Sequence, residues 1–158
     1  MAAYQTSYPD RPAKGLHGAS ANEEIKNDIS RTIENASGVR FGEPVQRGAG
    51  DHGVVPFTTG KFLGIAKLNP AVPAVAKGST LIDGYPQYCT AAIRERGQMY
   101  VAVSAPVVDG DPVYFVTASN TYTNAAGTGI VGPIPNAFFD TSGAAGDIVE
   151  ISLKNRSA

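Results

Sequence analysis

The sequence predicts an all-β fold: a single small β-sandwich or barrel, jelly-roll-like, with an extended N-terminal arm. The first observation is composition, because 18 glycines and 11 prolines among 158 residues exceed the usual share of about 12% and indicate many turns. The second is spacing, since turn signals recur every 8–15 residues or so beyond the arm. The third is that no convincing helical pattern follows residue 34. Short strands separated by frequent turns are typical of a sandwich or a barrel.

The arm comprises residues 1–28, and the β domain comprises residues 29–158. Tyr4 and Tyr8 are nearly the only large apolar side chains before residue 25. Such a segment is either a disordered tail or an arm that becomes ordered on a partner. In the second case we expect Tyr4, Tyr8 and Arg11 to be the anchoring side chains. Regular structure is interrupted in this arm by Pro9, Pro12, Gly15 and Gly18.

The segment 20–33 fits two interpretations. Ser20 and Glu23 could form a helix capping box, and isoleucines recur every four residues. The same spacing also satisfies a strand, and three of the five residues 29–33 are β-branched. We expect the arm to enter a strand near Asp28, with one helical turn as the alternative.

Further strands follow in order. Residues 35–38 read as the turn of a hairpin leading into residues 39–41. Residues 62–66 (FLGIA) are apolar on both faces, as in a buried strand. Cys89, Ala91 and Ile93 share one face of a strand that is expected to end in a turn at Arg96 and Gly97.

The clearest pattern lies between residues 99 and 117. Residues 99–103 predict a strand, and Asp109 and Gly110 predict a tight turn between strands at 107–108 and 113–117. Pro112 lacks an amide proton and is expected at a strand start or a sheet edge. The final strand is expected at residues 147–153. Its core-facing side chains should be Val149, Ile151 and Leu153, and its solvent-facing side chains should be Glu150 and Ser152.

Charge and hydropathy exclude several partners. Thirteen basic and fourteen acidic residues give a net charge of −1, whereas nucleic-acid binders usually concentrate positive charge, so no nucleic-acid partner is expected. No stretch approaches the roughly 20 apolar residues of a membrane span. The N-terminus has no signal-peptide pattern and Cys89 is the single cysteine. We therefore expect synthesis in the cytosol and no intramolecular disulfide.

The histidines give little support to catalysis. A hydrolase triad needs a nucleophile, a base and an orienting group. His17 lies in the irregular arm, which is a poor place to hold a base. His52 lies in the glycine-rich loop 48–53, and its neighbour Asp51 should point away from it. Both are interpreted as non-catalytic.

Three other motifs also have simpler explanations. Cys89 reads as a small core residue, and Asp109 and Asp111 read as turn residues because the remaining ligands of a calcium loop are absent. Residues 127–132 (GTGIVG) match a dinucleotide fingerprint, but the prolines after them forbid the helix that this motif requires. The sequence therefore predicts no catalytic, cofactor-binding or metal-binding residues.

Four segments carry a resemblance to a known family. They are 1–16 (MAAYQTSYPDRPAKGL) followed by 21–24 (ANEE); 29–32 (ISRT) leading to Phe41 and Gly42; 50–55 (GDHGVV) with 60–66 (GKFLGIA); and 107–115 (VVDGDPVYF). In these segments the chain resembles the phage structural cement proteins, also called head decoration proteins. The N-terminal run is the most specific part, and residues 120–145 take no part.

The resemblance implies a non-enzymatic virion protein with a small β fold. It would bind the outer surface of the expanded head and bridge neighbouring major capsid subunits. Its partners would be the major capsid protein and further copies of itself, in a symmetric dimer or trimer.

Two other functions compete with this one. A small β module that binds glycans or a host surface could use an aromatic platform drawn from Tyr85, Tyr88, Tyr100, Tyr114 and Tyr122. A hydrolase would have to use His52.

Overall fold

The fold is all-β, as the sequence predicts. The structure is a computed structural model that describes residues 14–72, 75–77 and 80–154, with the backbone alone at 75–77 and 80–82. Within these residues there is no helix, and the strands in chain order are β1 (Asn27–Ile33), β2 (Val39–Arg40), β3 (Pro44–Arg47), β4 (Gly53–Pro56), β5 (Phe62–Ala66), β6 (Val75–Lys77), β7 (Thr80–Ile82), β8 (Gly84–Tyr85), β9 (Thr90–Ala102), β10 (Tyr114–Val116), β11 (Thr121–Thr123), β12 (Ile130–Val131), β13 (Ala137–Phe139) and β14 (Ile148–Leu153).

Five strands close into a barrel. Their order is β1-β4-β3-β5-β9, and β9 pairs back onto β1. The β1–β4 pair is parallel and the other four pairs are antiparallel. Of the two open possibilities, sandwich and barrel, the fold takes the second. The strand expected near Asp28 is confirmed as β1, and the helical alternative is wrong.

The longest strand, β9, belongs to two parts of the molecule. Its first half, through Arg96, pairs with β1 and β5, and its second half, from Gly97, pairs with β14. The turn expected at Arg96 and Gly97 is therefore wrong. Gly97 has a φ of 124°, and the strand continues through it because glycine tolerates this backbone conformation.

Each half of β9 contributes to a separate hydrophobic core. Ile93 and Ala91 pack inside the barrel with residues such as Ile33 and Tyr85. On the second half, Met99 and Val101 pack against β10, β11, β13 and β14. The members that complete this second core are Ile65 of β5 and Val103, Val107, Val113, Phe115, Tyr122, Ile134, Phe139, Val149, Ile151 and Leu153.

Two further expectations need correction. Residues 35–38 do form a turn, in which the Gly38 amide donates to the Asn35 carbonyl at 2.9 Å, but no hairpin follows because β2 pairs with β8. Ser152 is buried and does not face solvent. It lies opposite Gln98 in the β9–β14 ladder, and the Gln98 side-chain amide donates to its hydroxyl at 3.2 Å. This bond satisfies both polar groups away from water.

The buried strand expected at residues 62–66 is confirmed as β5, and Gly110 lies in a turn with a φ of 90°. The strand expected before that turn, at 107–108, is wrong, because Val107 forms an isolated bridge to Gly143. The strand after the turn is β10, which pairs with β11 and β12. Pro112 forms an isolated bridge to Phe138 just before β10. Val149, Ile151 and Leu153 are fully buried.

Candidate functional site

The described part of the arm runs beside the second half of β9. The Gly18 amide donates to the Tyr100 carbonyl at 2.8 Å, and the Tyr100 amide donates to the Ala19 carbonyl at 2.9 Å. Ser20 forms an antiparallel bridge to Met99, and the Ala21 amide donates to the Gln98 carbonyl at 3.3 Å. Residues 18–21, which we call the arm root, therefore act as a short extra strand on this edge of β9.

A second contact joins the arm root to the segment after β5. The Leu68 amide donates to the Gly18 carbonyl at 2.9 Å. Gly18 has a φ of 82°, and a Cβ there would lie 2.8 Å from the Gly42 nitrogen. Both the backbone conformation and the close approach require glycine at this position. The Gly residues that interrupt regular structure in the sequence are thus part of how the arm is attached.

His17 fastens the arm from its side-chain end. Its Nδ1 accepts a hydrogen bond from the Ala102 amide at 2.9 Å, and its ring lies 6.0 Å, centroid to centroid, from the ring of Tyr122. A Cβ on Gly42 would overlap the imidazole Nε2, so glycine at this position leaves room for the ring. His17 is therefore held firmly, which the position of this residue in an irregular arm did not suggest.

The environment of His17 favours the neutral imidazole. Burial, the largest effect, lowers its pKa; Asn120 beside the ring raises it and the positive charge of Arg40 lowers it, with a result of about 4. A neutral ring that accepts at Nδ1 carries its proton on Nε2. At neutral pH His17 is thus an uncharged packing and hydrogen-bonding group.

The arm leaves the body beside a cleft of about 510 Å³. Gly15 packs on the face of Tyr100, since a Cβ there would lie 2.5 Å from the ring. Leu16 is 69% exposed, although it also borders a smaller cavity of about 230 Å³ beside His17. The larger cleft is lined by Lys14, Tyr100, Asp109, Asp140, Thr141, Ser142 and Glu150.

The three expected anchors, Tyr4, Tyr8 and Arg11, lie outside the described residues. Sequence reasoning missed His17 and the two glycines beside it as attachment points. The run Gly15-Leu16-His17-Gly18 carried a signal, because two glycines next to a ring-bearing side chain allow close backbone approach.

The remaining candidates for chemistry have ordinary surroundings. His52 is exposed in the loop between β3 and β4, and Cys89 is half-buried at the edge of the barrel core. The Asp111 carboxylate accepts hydrogen bonds from the Val108 amide at 2.9 Å and from the Asn124 side chain at 2.7 Å. These two bonds hold the pKa of Asp111 below its usual value and stabilise the turn, as expected for turn residues.

The glycine-rich run 127–132 leads into the short strand β12, with no helix after it. Among the described residues, no group of three or more histidine, cysteine, aspartate or glutamate side chains could hold a metal ion. The same residues contain no helix with the length and apolar character needed to cross a membrane.

The tyrosines proposed as a glycan platform have unlike environments. Tyr85 and Tyr122 are buried in different cores, where Tyr85 donates to the Lys67 carbonyl and Tyr122 to the Gly42 carbonyl. Tyr88 is 76% exposed, and Tyr100 is covered in part by the arm. Two of the five rings are thus unavailable to a ligand.

Comparison with known proteins agrees with the resemblance seen in the sequence. Residues 4–154 match the family described as structural cement protein (E217 gp24/Pam3 gp6). A similar solved structure is a chain from the capsid of Myoviridae phage XM1, with a TM-score of 0.62 and 17% sequence identity over 98% of this chain and 99% of that one. At this identity the likeness shows the fold alone. No curated protein matches the sequence.

The family match covers nearly the whole chain, and it includes the arm root, the barrel and the second core. The chain belongs to the phage structural cement proteins and is a virion protein with a structural role in the capsid.

Proposed function

We propose that this protein binds the outer surface of the expanded phage head and bridges neighbouring major capsid subunits, so that the shell resists separation. It acts without catalysis, as a symmetric dimer or trimer, and its partners are the major capsid protein and its own copies. The arm, residues 1–28, binds the shell, and the β domain, residues 29–158, is the rigid body to which the arm is attached.

One observation carries the proposal. The arm root is joined to β9 by backbone hydrogen bonds and by the half-buried ring of His17, and β9 contributes to both hydrophobic cores. A load applied to the arm would therefore pass directly into a strand that both cores hold. This is the arrangement expected of a clamp.

Multivalency would strengthen the clamp. An arm that becomes ordered on a partner loses conformational entropy, so a single arm binds weakly for the area that it covers. Once one arm of a symmetric oligomer is bound, the others face a high local concentration of their sites. Tyr4, Tyr8 and Arg11 are the side chains that we expect to make the contacts.

Co-sedimentation with expanded shells tests this function. Wild-type protein should pellet with the shells, and the full-length triple variant Tyr4→Ala, Tyr8→Ala, Arg11→Ala should bind at least tenfold more weakly. Tyr88→Ala, at an exposed tyrosine of the body, is the matched control and should bind normally. Failure of the wild type to pellet would refute the cement function, whereas normal binding by the triple variant would refute only the role of these side chains.

A further inference from the structure

We propose that the neutral imidazole of His17 is a latch that fastens the arm to the β body, and that acid releases this latch while the barrel stays folded. The consequence for the capsid rests on the function proposed above. The latch itself is a property of the free protein and can be measured without a shell.

The hydrogen bond at Nδ1 is the first reason. The donor is the backbone amide of Ala102. An amide N–H can only donate, so it cannot accept a hydrogen bond from a protonated Nδ1. When Nδ1 takes up a proton it becomes a donor, so the bond is lost and two N–H groups face each other. His17 cannot turn away within its site, because the ring lies against Gly42 on one side and near Tyr122 on another.

The charges around the ring are the second reason. From the side of β2, Arg40 adds positive charge, and Glu43 beside it is paired with Arg40 at 3.6 Å. Tyr122 has a pKa raised well above its usual value by burial, so its phenol is neutral. From β9 the ring meets the uncharged Ala102 amide.

Asp83 borders the cavity next to the ring, and its charge is not among the main influences on the pKa of His17. Among the described residues, the neighbour that favours the imidazolium is the uncharged side chain of Asn120. A buried imidazolium with no carboxylate partner is costly. Protonation should therefore expel the ring and leave the site otherwise intact.

The direction of the pH effect follows from linkage. The pKa of His17 is about 4 with the arm docked and 6.5 in the ordinary exposed state. Well above pH 6.5 both states are neutral and the latch has its full strength. As the pH falls through 6.5 and then through about 4, the released state binds the proton first, so docking weakens by up to about 300-fold. Well below pH 4 both states are protonated, and no further weakening from this residue is expected.

The barrel should survive across this pH range. The buried side chain of Arg94 is paired with Asp28. Burial raises the pKa of the Asp28 carboxyl, but the hydrogen bonds from Arg94 and Lys67 outweigh this effect and hold the pKa below the usual 3.8. The Asp28 carboxylate therefore stays ionised until the pH falls below that value. Acid separates the two events, with the arm released before the barrel loses its ion pair.

Amide hydrogen exchange by NMR on the free full-length protein tests the latch. The amides of Gly18, Leu68 and Tyr100 form the backbone hydrogen bonds of the arm root, and the amide of Ala102 donates to His17. Their protection factors should fall at least tenfold between pH 7 and pH 4.5. Amides of the β9–β14 ladder, such as that of Ile151, should keep theirs.

Variants identify the residue responsible. His17→Ala should lose arm protection already at pH 7, whereas His17→Asn places a non-titrating acceptor near Nδ1 and should make arm protection independent of pH. His52→Ala, at the exposed loop histidine, is the control and should behave as the wild type. In co-sedimentation, His17→Ala should bind shells more weakly than the wild type at pH 7.

Two results would overturn the latch. One is unchanged protection of the four arm amides in the wild type between pH 7 and pH 4.5. The other is a joint loss of protection in the arm and in the β9–β14 ladder, because that would be global unfolding. If instead the wild type does not bind shells, the cement function fails while the exchange data still decide whether His17 is a latch.

Discussion

At the scale of single residues, the buried guanidinium of Arg94 shows how this barrel tolerates an internal charge. Arg94 is 0% exposed, and it donates to the carboxylate of Asp28 and, at 2.9 Å, to the Gln98 carbonyl. Asp28 lies on β1 and Arg94 on β9, directly opposite in the pairing that closes the barrel. The ion pair thus lies across the closing seam, and Lys67 approaches the same carboxylate at 2.9 Å.

Asp28→Asn should destabilise the protein by about 3 kcal/mol at pH 7, because removing one partner leaves a buried charge without compensation. We take the low end of the usual range since Asp28 is 28% exposed and the remaining amide can still accept one hydrogen bond. Urea unfolding measures the change. Glu23→Gln, which removes the exposed carboxylate that pairs with Lys26, is the control and should change nothing measurable.

The same variant makes a pH prediction with a definite sign. The pKa of Asp28 is lowered in the folded state, so its contribution is fully present above the unfolded value of about 3.9 and is lost as the pH falls through the folded value. The stability difference between wild type and Asp28→Asn should therefore shrink below pH 4. A difference that persists unchanged at pH 2.5 would show that the charge of Asp28 is not what stabilises the seam.

Some residue-level features could be predicted from the sequence and some could not. The apolar alternation in β14 correctly placed Val149, Ile151 and Leu153 in the core. Ser152 was misplaced because alternation says nothing about a polar partner on a neighbouring strand, here Gln98. Similarly, the attachment of His17 depends on Gly42 and Ala102, which are far from it in the chain.

At the scale of elements, the long strand β9 determines how the two cores are connected. It is continuous over 13 residues, and it pairs with β1 and β5 in its first half and with β14 in its second half. Gly97 lies at the junction with a φ of 124°, and a Cβ there would lie 2.9 Å from the Cβ of Lys26. The sequence reasoning recognised the glycine but expected a turn, because a glycine inside a strand and one that ends a strand look alike locally.

Gly97→Ala should therefore cost more than Gly110→Ala. Both glycines have a positive φ, which costs an L-residue about 1–2 kcal/mol. At Gly110 a Cβ would meet nothing within 4 Å, whereas at Gly97 it would press on Lys26, and such overpacking typically adds about 1–3 kcal/mol. Urea unfolding should give the two costs in that order, and equal costs would show that Lys26 moves aside freely.

Non-local pairing explains the other element that was misjudged. The turn at 35–38 was predictable from its own residues, since the Asn35 side chain donates to the Gly38 carbonyl at 3.0 Å and closes it. The partner of β2 was not predictable, because Val39 pairs with Tyr85 of β8, and five other strands lie between β2 and β8 in the chain. A turn signal identifies where the chain reverses but not which strand it next meets.

At the scale of the whole molecule, β9 makes one mechanical body from two cores. The barrel core and the second core contain different residues, yet each draws several of them from β9. The all-β class and the presence of many short strands were predictable from composition and turn spacing. Barrel closure was not, because it depends on β9 pairing with both β1 and β5, and neither pairing leaves a local signature.

The shared strand predicts that the two cores unfold together. Ile93→Ala in the barrel core and Ile151→Ala in the second core each remove a fully buried isoleucine, and each should destabilise by about 2–5 kcal/mol. Because β9 cannot leave one core without disturbing the other, both variants should keep a single urea transition with a lower midpoint and an unchanged slope. NMR signals from the barrel, such as those of Ile33, and from the second core, such as those of Phe115, should disappear at the same urea concentration.

Separate midpoints for the two cores in Ile93→Ala would mean that the second core is stable without the barrel core. The arm root, whose backbone hydrogen bonds go to the second half of β9 and to the segment after β5, would then be attached mainly to the second core and less firmly to the barrel.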